Sequence, residues 1–348
     1  MTASIELTCE DSSVLVSPTG ASLHRYTVGE RALVVPMGTF DGAVLAPWPN
    51  RIADGRYDFD GRSYQLPITE SARRTALHGL VAEADWTVVE ANESTVRLEL
   101  ALEPTQGYPF PFALSMAYDL RDNGLRIRAE ARNTGSHRAP FGFGFHPWFA
   151  PGAHAGSSDS VDAVGDRVDD SCDRVDDAQL VVPAAAWLET DERLIPTGVR
   201  PFDDGTVVPV DHGVEESDCI VCKDFRALRT IGGTELDDSF SAPRRDVDGW
   251  SRARVRGTDD REIVIGIGPG FRTWQVYTGD GLEAALARRA VAIEPMTCPP
   301  NAFASGVAGE DFDVVEPGCT LTVEWSISLA ADGNAKPMVE GAASPPSA

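Results

Sequence analysis

Near the end of the chain one carboxylate stands in an apolar, proline-locked frame, Val291-Ala292-Ile293-Glu294-Pro295-Met296-Thr297. Such neighbours belong to a buried strand. A carboxylate held there loses hydration, which raises its pKa and makes it a better proton acceptor near neutral pH. Pro295 fixes its own φ and biases Glu294 toward extended backbone, so the side chain projects from a stiff support. The alternative is a glutamate that ends a strand and pairs with an arginine. A partner acid is offered by Ala139-Pro140-Phe141-Gly142-Phe143-Gly144-Phe145-His146-Pro147-Trp148-Phe149, where alternating Phe and Gly surround one imidazole. Glycines in a strand-like run let another backbone or a ligand come close, and the aromatic rings supply flat apolar walls. His146 is the side chain of that run able to donate or accept a proton at pH 7. It also reads as a core histidine bonded to a carbonyl.

Other segments set polar groups in apolar or glycine-rich surroundings. Thr75-Ala76-Leu77-His78-Gly79-Leu80 presents a second histidine, and Pro47-Trp48-Pro49-Asn50-Arg51-Ile52 an amide and a guanidinium beside a Trp. Asn and Arg offer several fixed donors, a useful set for sugar hydroxyls. Glu235-Leu236-Asp237-Asp238-Ser239-Phe240 and Trp274-Gln275-Val276-Tyr277-Thr278-Gly279-Asp280 follow. Taken singly, each reads as turn chemistry or surface.

Taken together and in order, these pieces resemble the aldose 1-epimerase (galactose mutarotase) family. The matching pieces are Asn50-Arg51-Ile52 with Gly55 and Tyr57, Leu77-His78-Gly79, His146-Pro147-Trp148-Phe149, Asp237 with Phe240, Gln275-Val276-Tyr277-Thr278-Gly279, and Ile293-Glu294-Pro295-Met296-Thr297. They run from near residue 13 to near residue 330. The resemblance implies a curved multi-sheet sandwich, with Glu294 as general base and His146 as general acid. It further implies that Asn50, Arg51, His78, Asp237 and Gln275 hold the sugar. Two departures touch the sugar pocket: His146 is followed by Pro-Trp-Phe rather than a Tyr-Phe-Asn-Leu-like run, and Asp238 stands where His is frequent.

The chemistry follows from the substrate. A cyclic aldose is a hemiacetal, and opening it removes a proton from the anomeric hydroxyl while giving one to the ring oxygen. One base and one acid on opposite sides of the ring suffice, without metal, nucleotide or covalent adduct. A carboxylate and an imidazolium have suitable pKa values, and the strong negative field of the chain is expected to keep the histidine protonated. No cofactor and no metal cluster is expected. Two further readings stay open: a mutarotase for a hexose phosphate, using Arg51, Arg73 and Arg74, and a non-catalytic sugar-binding module.

The elements that must position these groups have period two. Val96, Leu98, Leu100 and Leu102 alternate with polar or small residues. Leu125, Ile127, Ala129 and Ala131 do the same after the turn Asp122-Asn123-Gly124, a hairpin signal. A second hairpin pairs 252–256 with 262–267, and Leu321, Val323, Trp325, Ile327 and Leu329 form a last strand with one buried face. The best helical candidate, 282–290, is short. The expectation is a large antiparallel β-sandwich as one all-β domain over 1–330, followed by a disordered tail at 331–348. An acidic surface insertion is expected at 155–177, where eight Asp accompany Arg167 and Arg174.

Charge narrows the partners. With 54 Asp and Glu against 30 Lys and Arg, the formal charge of −24 argues against nucleic acid or an anionic membrane. Nothing resembles a membrane span or a signal peptide, so a cytoplasmic protein with a small-molecule partner is expected. The six cysteines are scattered. The one close pair, Cys219 and Cys222, lacks a second pair for zinc, so inert thiols are expected, with Cys298 nearest the candidate base.

Overall fold

The computed structural model describes residues 3–152, 174–203, 220–304, 307 and 311–330. Most of the acidic insertion, the tail at 331–348, Cys172 and Cys219 lie outside the described residues.

The period-two runs become antiparallel strands. Phe112–Arg121 and Gly124–Asn133 form the expected hairpin, closing with Arg121 opposite Gly124. Ser251–Arg256 and Glu262–Ile267 form the second, with Arg256 opposite Glu262. Both belong to a nine-stranded sheet in which Thr320–Ala330 lies between the two hairpins. Its inward residues include Val96, Leu98, Ile127, Ala129, Trp325 and Ile327, all buried. Leu321 and Leu329 are only partly covered.

A second, twelve-stranded sheet begins with Ile5–Cys9, Ser12–Ser17, Ser22–Val28 and Arg31–Val34. It continues through the short Trp148–Phe149 to Val291–Met296, Thr273–Tyr277, Asp237–Pro243 and Ala184–Thr190. The inner faces of the two sheets enclose a shared apolar core: Phe145 of this sheet meets Trp325 of the other with ring centroids 5.2 Å apart. All-β architecture is therefore observed, and among the described residues the only helical turns are Val175–Asp177 and Ile220–Lys223.

The helix expected over 282–290 does not form. One bond of helical spacing exists, from Ala287 N to Glu283 O at 2.9 Å, and then Arg288 takes a left-handed backbone with φ of 57°. The tertiary pull on that residue is strong. Its guanidinium reaches Asp176 and Asp280, each at 2.6 Å, and the carbonyls of Gly232 and Thr234. Four such contacts outweigh a short segment's helix propensity.

Candidate active site

Strand pairing decides which side chains share a wall. Glu294 lies opposite Gln275, Gln275 opposite Ser239, and Asp237 opposite Tyr277. Side chains alternate across a strand, so Asp237, Ser239, Gln275 and Glu294 project from one face, while Asp238, Phe240 and Val276 project from the other. Trp148 pairs with Ala292, and His146, two residues earlier, is drawn onto the same wall as Glu294. The glycines of the Phe/Gly run allow a second chain segment to lie against it. A Cβ at Gly144 would meet Pro49 Cβ at 2.5 Å, and one at Gly142 would meet Cys298 Sγ at 2.5 Å. The Pro47–Arg51 turn is thereby carried up to the wall.

Asn50 and His78 lock together there. Both have left-handed backbones, with φ of 53° and 60°. His78 N donates to Asn50 O at 2.9 Å, and Asn50 N donates to His78 Nδ1 at 3.2 Å. Nδ1 is thus an acceptor, so the neutral ring carries its proton on Nε2. Burial, followed by His146 and Arg51, holds the His78 pKa well below the usual histidine range.

The two proton carriers touch. His146 Nε2 lies 3.4 Å from Glu294 Oε1, and the two residues are 4% and 2% exposed. His146 Nδ1 and Glu294 Oε2 are buried without a protein partner. Buried polar atoms are nearly always satisfied, so Glu294 Oε2, beside the His146 Nε2 edge, marks where a polar ligand belongs. Burial pushes the pair in opposite directions. It raises the Glu294 pKa well above the carboxylate range, with Asp237 adding to the rise, and lowers that of His146 to about 4. Both shifts favour the neutral forms, a protonated carboxyl beside an unprotonated imidazole.

Two sequence expectations are corrected here. The negative field of the chain does not keep His146 protonated, because desolvation at a buried ring outweighs a field from distant, solvated charges. The two groups also stand side by side rather than on opposite sides of a ring. Side by side suits the chemistry, since the anomeric hydroxyl oxygen and the ring oxygen are bonded to the same carbon.

Around the pair lie the other expected residues. Arg51 is held by Glu70 in a two-pronged bridge, Nε to Oε2 at 2.9 Å and Nη2 to Oε1 at 3.1 Å. Its Nη2 stands 3.9 Å from Asp237 Oδ2. Gln275 Nε2 donates to Asp237 Oδ1 at 2.7 Å, and Ser239 Oγ donates to Gln275 Oε1. Burial raises the Asp237 pKa against the opposing pull of Arg51. Asn50 Oδ1 accepts the Arg51 N–H at 2.9 Å, which leaves its amide nitrogen as the group it can offer. The structure thus brings together all seven residues singled out in the sequence.

Three participants had escaped notice. Glu70, which also accepts from Thr75 Oγ1 at 2.6 Å, sits before two arginines, and nothing local says that it serves Arg51. Ser239 is an ordinary strand residue. Phe40 packs on both histidines, with centroids 4.6 Å from His78 and 5.7 Å from His146. Its glycine-flanked setting, Gly38-Thr39-Phe40-Asp41-Gly42, carried the same signal as the Phe/Gly run.

Ligand atoms of His78, His146 and Glu294 lie within 4.8 Å of one another, a grouping that the sequence had not suggested. It fits a metal poorly. With Nδ1 accepting from Asn50, His78 Nε2 presents a proton rather than a lone pair, so it suits a hydroxyl oxygen and not a cation. Cys298 is buried, and burial, followed by Asp313, pushes its thiol far above the usual range, which makes it inert.

The model of the aldose 1-epimerase family matches residues 3–328. The chain belongs to the aldose 1-epimerase family. An uncharacterized protein of Escherichia coli K12, YihR, is 31% identical over 87% of this chain and 86% of its own length. The galactose mutarotase of Sus scrofa is 26% identical over 73% of this chain and 66% of its own. In structure the chain is similar to a GalM/aldose epimerase homologue from C. elegans, with a TM-score of 0.74 and 19% identity over 95% of this chain and 99% of that one. A putative aldose 1-epimerase of E. coli K12 gives a TM-score of 0.73 and 18% identity over 94% and 99%. Aldose 1-epimerases are isomerases. Among the described residues of this epimerase-family chain, no helix is long and apolar enough to cross a membrane.

Proposed function

We propose that the protein is an aldose 1-epimerase that interconverts the α and β anomers of a free aldose through ring opening and reclosure. The observation that carries this reading is the contact of a buried carboxylate with a buried imidazole, Glu294 Oε1 to His146 Nε2 at 3.4 Å, with Glu294 Oε2 left without a protein partner. A sugar reaching the pair draws the proton toward His146, leaving Glu294 as the carboxylate. The transfer keeps the net charge of the pair unchanged, so it costs far less than ionising either group alone. Glu294 then takes the anomeric hydroxyl proton while His146 Nε2 protonates the ring oxygen. The aldehyde turns and recloses on its other face as both protons return.

Neutral His78 offers Nε2–H to a hydroxyl, Arg51 and the Asn50 amide add donors, and Asp237 and Gln275 form the opposite edge. In this reading the chain is a single epimerase domain acting on a small sugar, and the cytoplasmic location expected from the sequence belongs with it. A neutral sugar is favoured over a hexose phosphate because the three arginines considered for a phosphate already face carboxylates: Arg51 and Arg73 on Glu70, Arg74 on Asp54. Retention of both proton carriers speaks against a binding module. The test is NMR exchange spectroscopy across a panel of free and phosphorylated aldoses. Faster α/β exchange of a free aldose is expected. Binding without exchange would favour the module instead.

A further inference from the structure

We propose that Glu70 is a positioning residue of the reaction: it aims Arg51 into the site and offsets enough of that guanidinium's charge for Glu294 to keep its proton between turnovers. This rests on the epimerase reading above. The sequence builds the arrangement from a tight turn. Glu70 N donates to Thr75 O at 3.1 Å and Thr75 N to Glu70 O at 3.2 Å, while Arg74 between them takes a left-handed backbone with φ of 54°. The strand that follows, Thr75–Leu77, pairs with Arg51–Ala53, which sets Leu77 opposite Arg51 and Thr75 opposite Ala53. The turn thereby delivers the Glu70 carboxylate to the Arg51 side chain.

The carboxylate is saturated there. It accepts from Arg51 Nε at 2.9 Å and Nη2 at 3.1 Å, from Arg73 Nη1 at 3.0 Å and from Thr75 Oγ1 at 2.6 Å. A guanidinium gripped along one edge has its plane fixed and presents its other edge. Among the described residues the contacts of that other edge are long, Nη1 to Asn50 Oδ1 at 3.5 Å and Nη2 to Asp237 Oδ2 at 3.9 Å. Donors held in one plane and short of good partners suit sugar hydroxyls. The backbone of Arg51 is fixed independently of Glu70. Asn301 N donates to Arg51 O at 2.7 Å and Asn301 Oδ1 accepts from Ala53 N at 2.9 Å, so the segment after Glu294 pins that strand. What Glu70 adds concerns the side chain.

Charge carries the second role. The titratable and charged groups facing Glu294 are His146 and Asp237 from its own sheet, and Arg51 and His78 from the segments packed beside it. Arg51 is the cation of that set, and it favours the Glu294 carboxylate against burial and Asp237. Burial alone would raise the Glu70 pKa, but the bonds from Arg51 and Thr75 outweigh it and hold its carboxyl below the usual range. Glu70 is therefore an anion at neutral pH, and with its side chain 15% exposed, water screens it little. Seen from Glu294, the bridged pair acts as a dipole and not as a bare cation.

The test is NMR exchange kinetics of a free aldose across pH in a set of variants. Glu70→Gln should lose about tenfold or more in kcat/KM, chiefly through KM. Its alkaline limb should move down by about one pH unit, because the uncompensated Arg51 charge draws the proton off Glu294. Glu70→Asp restores the charge at shorter reach, so its limb should return toward that of the wild type while KM stays raised. Thr75→Val loosens the carboxylate without changing its charge; it should raise KM and leave the limb in place. A limb that stays put in Glu70→Gln, or that moves equally in Glu70→Gln and Glu70→Asp, overturns the proposal. In a double-mutant cycle, Glu70→Gln should add little to the loss already caused by Arg51→Ala, and a full additional loss also overturns it. Absence of exchange by the wild type for every free aldose would instead overturn the epimerase reading. The Arg51 Nε–H signal then decides: slow solvent exchange that is lost in Glu70→Gln supports the hold on Arg51, and an unchanged signal overturns it.

Discussion

Asp237 and Asp238 are adjacent in the chain and point to opposite sides of one sheet, and their surroundings differ in kind. Asp238 is saturated: Lys223 Nζ donates to it at 2.7 Å, Trp187 Nε1 at 2.7 Å, and the backbone N–H of Asp237 at 3.2 Å. Lys223 also donates to Glu235 O at 3.1 Å, so the buried ammonium is satisfied as well. On the other face, Asp237 accepts from Gln275 Nε2 at 2.7 Å but meets its nearest cation, Arg51, only at 3.9 Å, and behind it Glu294 and His146 each keep a buried atom without a partner. One side has spent its polar groups on holding the short turn Ile220–Lys223 against the sheet. The other leaves Glu294 and His146 incompletely partnered inside the protein. The lesson is that burial of charge does not mark a site; burial of charge without completed partners does.

The comparison is broken most severely at the proton carriers. Positioned acid–base groups contribute about 10²–10⁴-fold, so Glu294→Gln and His146→Asn should each lose that much kcat while the melting temperature holds. The double variant should be little worse than the poorer single one, since both groups serve one transition state. Near-wild-type exchange by folded Glu294→Gln would remove the basis of the mechanism.

Next in size is the saturated side. Removing one partner of a buried ion pair costs about 3–5 kcal/mol, so Asp238→Asn should lower the melting temperature sharply by leaving Lys223 unmatched. Asp237→Asn should do the converse, weakening KM or kcat with little change in thermal stability. Both are read by paired calorimetry and kinetics, and equal behaviour of the two variants would erase the distinction.

A smaller effect belongs to pH. Activity requires one proton on the pair. Acidification adds a second as His146 titrates near pH 4, which leaves no base. Alkalinisation removes the first at the raised Glu294 pKa, which leaves no acid. The kcat/KM profile should therefore be bell-shaped, with its acid limb near pH 4 and its alkaline limb displaced well above the ordinary carboxylate range. Smallest of all is the expected effect of excess EDTA on exchange, which is none, because His78 presents a proton to the site. Loss of activity restored by a divalent ion would reverse that assignment.

Much of this was legible in the sequence, and for a common reason. Hairpins such as 112–133 are written in contiguous residues, as a period and a turn. The Phe/Gly run likewise announced close approach before the approaching segment, Pro49, was known. What stayed hidden was long-range. Glu70 has no local mark tying it to Arg51, and the 282–290 segment failed as a helix because distant Asp176 claims Arg288. The side-by-side placement of Glu294 and His146 depends on strand order, which no local pattern encodes. The protonation of His146 was misjudged for the same reason, since desolvation depends on what covers a ring.

That cover has a consequence for how the protein would behave in solution. Sugars mutarotate without a catalyst, and ordinary buffer acids and bases speed them up by meeting the ring in open water. Here the proton carriers are 2% and 4% exposed, and a sugar lying over them closes the remaining approach to imidazole or phosphate. Raising the buffer concentration at constant pH should therefore lift the background rate and leave the enzymatic increment flat.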